Sequence, residues 1–192
     1  MPNSLESERA QLILGMYYFI PDIRIRVDSI IRVVTGAEEL TGAHLSVYAL
    51  ASNAFVAFKA FLDNPLFGHG LGSHPISYDE FIPLIVSGDS LAESYYFVNK
   101  MDAGSLFFRL LSETGLVGIV AVLYFIFRFR LKSSENNKFQ IISNSIFILF
   151  ILQLLKQGHY FYNGLFFFVW IYYFSNKMYH AQDSKILESG SH

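Results

Sequence analysis

Apolar residues gather toward the two ends of this chain, and most of its polar chemistry lies at residues 21–104. Four apolar segments stand out. Residues 104–127 are long enough to cross a bilayer with tilt. Residues 139–155 and 160–174 are shorter but within reach of a thin or tilted hairpin, joined by the turn Lys156-Gln157-Gly158-His159. Residues 10–20 fall short of the roughly 20 needed to span and stop at Pro21-Asp22, so they predict a partial span. Between the ends, Val47, Leu50, Ala51, Ala54, Phe55, Phe58 and Leu62 recur at helical spacing. They predict a helix over 45–62 that lies in the membrane interface, stopped by Asn64-Pro65. Residues 23–34 alternate Ile and Val with Arg24, Arg26, Asp28 and Arg32, so helix and strand compete there.

Composition agrees with a membrane protein. Of 192 residues, 53% are hydrophobic and 16% charged, where an ordinary soluble domain has roughly 25% charged. A net charge of −2 gives no basic field for nucleic acid. Without cysteine there is no disulfide, thiolate metal site or Cys nucleophile. The opening residues carry Glu6, Glu8 and Arg9 rather than a net positive signal-peptide start.

Charge then orients the segments. Arg128, Arg130, Lys132 and Lys138 cluster in one short connection, and Lys177 follows the last apolar run. Excess Lys and Arg marks the cytoplasmic side. The expected fold is therefore an all-α polytopic membrane protein with about four transmembrane segments and a large periplasmic loop containing short helices. Its parts are a cytoplasmic N-terminus with a partial span (1–20), the periplasmic loop (21–103), a three-helix transmembrane bundle (104–175) and a cytoplasmic tail (176–192).

Two blocks carry candidate chemistry. The first is Asn64-Pro65-Leu66-Phe67-Gly68-His69-Gly70-Leu71-Gly72-Ser73-His74. Glycines that allow φ > 0 leave backbone N–H groups bare, and successive bare N–H groups form a nest for an anion. His69 and His74 bring imidazoles that move protons near neutral pH. The same glycines also suit a tight turn, so the loop alone decides nothing. In the second block Asp102, Arg109 and Glu113 fall on one helical face at the outer end of a span. Ionisable groups there face a cavity or a partner, although Arg109 and Glu113 are also placed to satisfy each other one turn apart. Arg24, Arg26 and Arg32 suit phosphate oxygens or ordinary lipid headgroups. His44, His159 and His180 show no metal-ligand spacing.

Taken together, the Asn-Pro-Leu-Phe-Gly-x-Gly-x-Gly loop at Asn64 to Gly72 and the run Arg109-Leu110-Leu111-Ser112-Glu113-Thr114-Gly115-Leu116-Val117-Gly118 resemble the O-antigen polymerase and ligase superfamily of bacterial inner-membrane glycosyltransferases. Family members carry about ten or more spans, so the chain corresponds to a C-terminal part. The resemblance implies transfer of a glycan from an undecaprenyl diphosphate carrier to a hydroxyl, in lipopolysaccharide or capsule biosynthesis, with no metal or other cofactor. The implied partners are the lipid-linked glycan, membrane lipid and a chain-length regulator protein. Many ligase-like members place a His-Asn before the second block where this chain has Asp102-Ala103. That departure favours polymerase over ligase, with a non-catalytic truncated membrane protein as a third reading. It also leaves Asp102 or His74 as base, with Arg109 as the nearby cation. Arg32, Gly68, His69, Gly70, Gly72 and Glu113 are then the residues expected to bind substrate.

Overall fold

Helix is the only regular structure among the described residues of the computed structural model, which are 15, 17–18, 20–35, 43–86, 97–132, 138–161 and 164–189. The partial span expected at 10–20 falls mostly outside this set. Residues 1–52 with 82–98 form one compact unit and residues 53–81 with 99–192 form another.

In the first unit, α1 (Pro21–Val34) resolves the competition between strand and helix. Pro21 occupies the first turn, where its missing N–H costs nothing, Asp22 faces the positive helix start and Arg32 the negative end. Ser29 is buried, and its hydroxyl accepts the backbone N–H of His44 at 3.0 Å. That bond holds the start of the next helix, α2 (Leu45–Asp63), which continues into the second unit. α2 ends where Asn64-Pro65 predicts.

The second unit continues with α3 (His74–Phe81), α4 (Leu106–Arg128), α5 (Lys138–Lys156) and α6 (Leu165–Ser189). α3 packs on α4, and α5 packs against both α4 and α6. Helices α4 and α5 match the spans expected at 104–127 and 139–155. With α2 they are the three described helices long and apolar enough to cross a membrane. Length and composition thus place α2, expected in the interface, in the same class as α4 and α5. The segment expected at 160–174 also differs. Its helix begins at Leu165 and runs on to Ser189, taking in most of the expected tail.

The bundle is tied by exchanged caps. The last four carbonyls of a helix have no partner in their own helix. Ser105, the N-cap of α4, accepts the Phe108 N–H and donates its hydroxyl at 2.6 Å to the Leu154 carbonyl in the last turn of α5. Tyr172 of α6 is fully buried and donates at 2.6 Å to the Ile126 carbonyl in the last turn of α4. Asn176 reaches the next carbonyl beyond that turn, Phe129, at 3.2 Å, and Ser143 of α5 accepts the Leu131 N–H. Around these bonds Leu106, Leu110, Ile119, Phe150 and Leu154 form the apolar core.

Tyr172→Phe keeps the ring against Phe150 and leaves the Ile126 carbonyl orphaned. We expect a loss of about 1–3 kcal/mol in detergent-solubilised unfolding. Unchanged stability would show that the cap carries no weight.

Candidate functional site

α4 is one helix broken at Gly115, whose φ of 59° and ψ of −153° lie far from helical values. The break opens four backbone groups, and the glycine loop takes all four. Ser112 and Glu113 carbonyls accept the N–H groups of His69 (3.0 Å) and Gly70 (2.8 Å). Leu116 and Val117 N–H groups donate to the carbonyls of Pro65 (2.9 Å) and Leu66 (3.1 Å). Two backbones can approach this closely only where neither carries a side chain. A Cβ on Gly115 would sit 2.7 Å from the Pro65 oxygen and 2.8 Å from the Gly68 nitrogen. A Cβ on Gly68 would meet the Glu113 carbonyl carbon at 2.5 Å. Both glycines also have positive φ.

This docking corrects the anion nest expected at Gly68, His69 and Gly70. The Gly68 N–H is bonded to the Asn64 carbonyl, and the next two N–H groups are bonded to α4. Gly72 is exposed, with open space where a Cβ would be. The His69 Nε2 lies 3.0 Å from an Asp63 carboxylate oxygen.

Behind the docked loop lies a buried polar cluster. Glu113 is fully buried. Its Oε1 accepts from Arg109 Nε at 2.9 Å and from the His74 backbone N–H at 3.4 Å, and its Oε2 accepts from the Tyr160 hydroxyl at 2.7 Å. Arg109 stacks on the Tyr160 ring, 4.4 Å from its centroid, and donates to the Gly158 carbonyl at 3.3 Å. Gly158 must be glycine, because a Cβ there would overlap the Asp102 carbonyl oxygen. A carboxylate and a guanidinium out of water are tolerable because each is paired and hydrogen-bonded. Tyr160 also lines an apolar cavity of about 350 Å³ among α4, α5 and α6, with Leu110, Phe125, Phe150 and Val169.

His74 and Arg109, expected to be catalytic, meet Glu113 here, but His74 is fully buried with both ring nitrogens engaged. Nδ1 lies 2.9 Å from the Ser112 hydroxyl and Nε2 lies 3.1 Å from Asn53 Oδ1. A base must reach the proton it removes, so His74 in this arrangement holds the loop to α2 and α4 instead. Asp102 is not on the α4 face. The helix starts at Leu106, and Asp102 sits in the preceding turn, where Ala103 and Gly104 have positive φ and its carboxylate accepts the Gly104 N–H at 3.1 Å. Arg32 is exposed on the last turn of α1, in the first unit.

Asn53, Ser112 and Tyr160 were not candidates in the sequence. A lone amide in an apolar helix was a signal for Asn53. Nothing marked Tyr160 among twelve tyrosines.

Burial pushes the His74 pKa down to about 4, Arg109 adds to the depression and the Glu113 charge opposes it. The folded value lies below the unfolded 6.5, so the unfolded chain binds the extra proton between those limits. Stability is therefore full above pH 6.5 and falls as pH drops toward 4, by up to about 3 kcal/mol from this ring. His74→Gln should flatten that part of the pH–stability profile in detergent. An equally steep profile would exclude the ring as its source. Gly115→Ala should cost more than about 2 kcal/mol and speed amide exchange at His69 and Gly70. Gly72→Ala, strained but unobstructed, should cost about 1–2 kcal/mol and leave those amides protected. Equal effects of the two substitutions would argue against the backbone clamp.

No family model, no curated protein and no solved structure matches the chain, so its chemistry rests on this geometry and on the residues that build it.

Proposed function

We propose that the chain is the C-terminal part of an O-antigen polymerase-like glycosyltransferase acting on undecaprenyl-diphosphate-linked glycan in the bacterial inner membrane. The observation that carries this reading is the shape of the polar cluster. A paired Arg109 and Glu113 are joined through Tyr160 to an apolar cavity. An amphiphile with a polar, anionic centre and a hydrocarbon chain fits such a site, with the chain in the cavity and the diphosphate toward Arg109, whose side chain keeps 11% of its surface. The two sequence blocks behind the resemblance also form one piece of structure, clamped at Gly68 and Gly115.

Transfer of the glycan breaks its bond to the diphosphate and forms one to an acceptor hydroxyl. It needs charge stabilisation at the leaving group and a base at the acceptor. Arg109 is assigned to the leaving diphosphate. Asp102, half-buried in its turn, takes the role of base that the geometry withholds from His74. Glu113 and Tyr160 orient Arg109.

The cationic connection after α4 is assigned to the cytoplasm, which puts the glycine loop and the Asp102 turn on the periplasmic side. Counting α2 as a crossing in place of residues 10–20 keeps four crossings and narrows the periplasmic loop to about 64–105. Arg32, which belongs to the first unit, is not assigned to this site.

The test is lipopolysaccharide laddering in cells that depend on the full-length protein. Arg109→Lys and Asp102→Asn at normal expression should each reduce the ladder by at least about tenfold. Polymerase loss leaves core bearing a single repeat. Ligase loss leaves bare core with lipid-linked polymer, and that pattern would replace polymerase with ligase. Unchanged ladders would reject the site.

A further inference from the structure

The clamp between the glycine loop and α4 sets the loop's level along the helix residue by residue. His69 and Gly70 bond to carbonyls at Ser112 and Glu113, on the polar side of the break. Pro65 and Leu66 bond to N–H groups at Leu116 and Val117, on its other side. From Gly115 to Phe127 α4 carries no Asp, Glu, Lys, Arg or His, whereas Arg109 and Glu113 precede the break. The break thus marks the polar–apolar boundary of a helix long and apolar enough to cross a membrane, and the loop straddles that boundary in a fixed orientation.

The residues on the apolar side are large, hydrophobic and uncovered. Leu66 is 55% exposed and Phe67 68%. Phe58 and Leu62, one turn apart on α2, are also more than half exposed and lead toward them as an apolar stripe. Four backbone bonds to α4 hold the loop, so the tip cannot simply fold back to hide this surface. Asp63 and His69, bonded to each other, flank the tip.

We propose that Leu66 and Phe67 form a membrane wedge whose side chains lie among the acyl chains of the bilayer just below the headgroups, with the Asp63–His69 pair at headgroup level. The occupant is lipid hydrocarbon because the tip sits level with the start of the uncharged stretch of α4 and contains no ionisable side chain. Backbone away from helix is tolerated at that depth only when its polar groups are satisfied by protein, and the tip carbonyls of Pro65 and Leu66 are bonded to α4. The wedge rests on the loop and helix geometry alone, independently of any sugar transfer.

The chain has no cysteine, so an introduced cysteine is the sole thiol. Phe67→Cys and, as a second variant, Leu66→Cys would be spin-labelled in the full chain reconstituted in phosphatidylcholine–phosphatidylglycerol vesicles. Val120→Cys, exposed within the uncharged stretch of α4, serves as the hydrocarbon reference and Lys132→Cys as the aqueous one. The expected result is collision with oxygen exceeding collision with a water-soluble nickel chelate at 66 and 67, as at 120. Preference for the nickel chelate, as at 132, overturns the proposal by placing the tip in water. Protection from both reagents overturns it by placing the tip against protein.

Discussion

Opening a helix in an apolar setting exposes carbonyls and N–H groups that have no water to turn to, and each costs several kcal/mol if left unpaired. α4 is opened in this way at Gly115, and the glycine loop supplies two donors and two acceptors in matching register. Neither partner can keep its shape without the other. The loop has no regular structure of its own to hold it, and the helix would otherwise close over the break. Close approach demands glycine on both sides, at 68 and at 115, so two residues far apart in sequence act as a single constraint.

The placement of the polar cluster follows from that constraint. Fixing the loop brings the His74 backbone N–H to Glu113 and the His74 ring between Ser112 and Asn53. Glu113 is then held from three directions, and Arg109 is held by Glu113, by the Gly158 carbonyl and by the face of Tyr160. A charge pair fixed on so many sides needs little reorganisation, and under the proposed function that is the property that stabilising a leaving diphosphate requires. The imidazole behind it ties Ser112 to Asn53 and, kept neutral by burial, adds no second cation to repel Arg109.

Local signals in the sequence carried as far as local interactions reach. The stop of α2 was legible because Asn64-Pro65 denies the helix its next step, and α4 and α5 were legible from their apolar runs. Arg109 and Glu113 were paired by their one-turn spacing. The break at Gly115 was not legible, because Leu110-Leu111-Ser112-Glu113-Thr114-Gly115-Leu116 reads as unbroken helix and the loop that stabilises the break lies some 45 residues earlier. The anion nest failed for the same reason: bare N–H groups look available until their distant acceptors are seen. Asp102 was placed on the helix face because spacing alone cannot show that Ser105 starts the helix after it.

The caps exchanged among α4, α5 and α6 bear on how the bundle is made. Synthesis runs from the N-terminus, so α4 is complete before Tyr172 and Asn176 exist, and the carbonyls at Ile126 and Phe129 wait for them. Ser105 likewise waits for Leu154 at the far end of α5. The three helices therefore reach their final hydrogen bonding only after the last of them has been made.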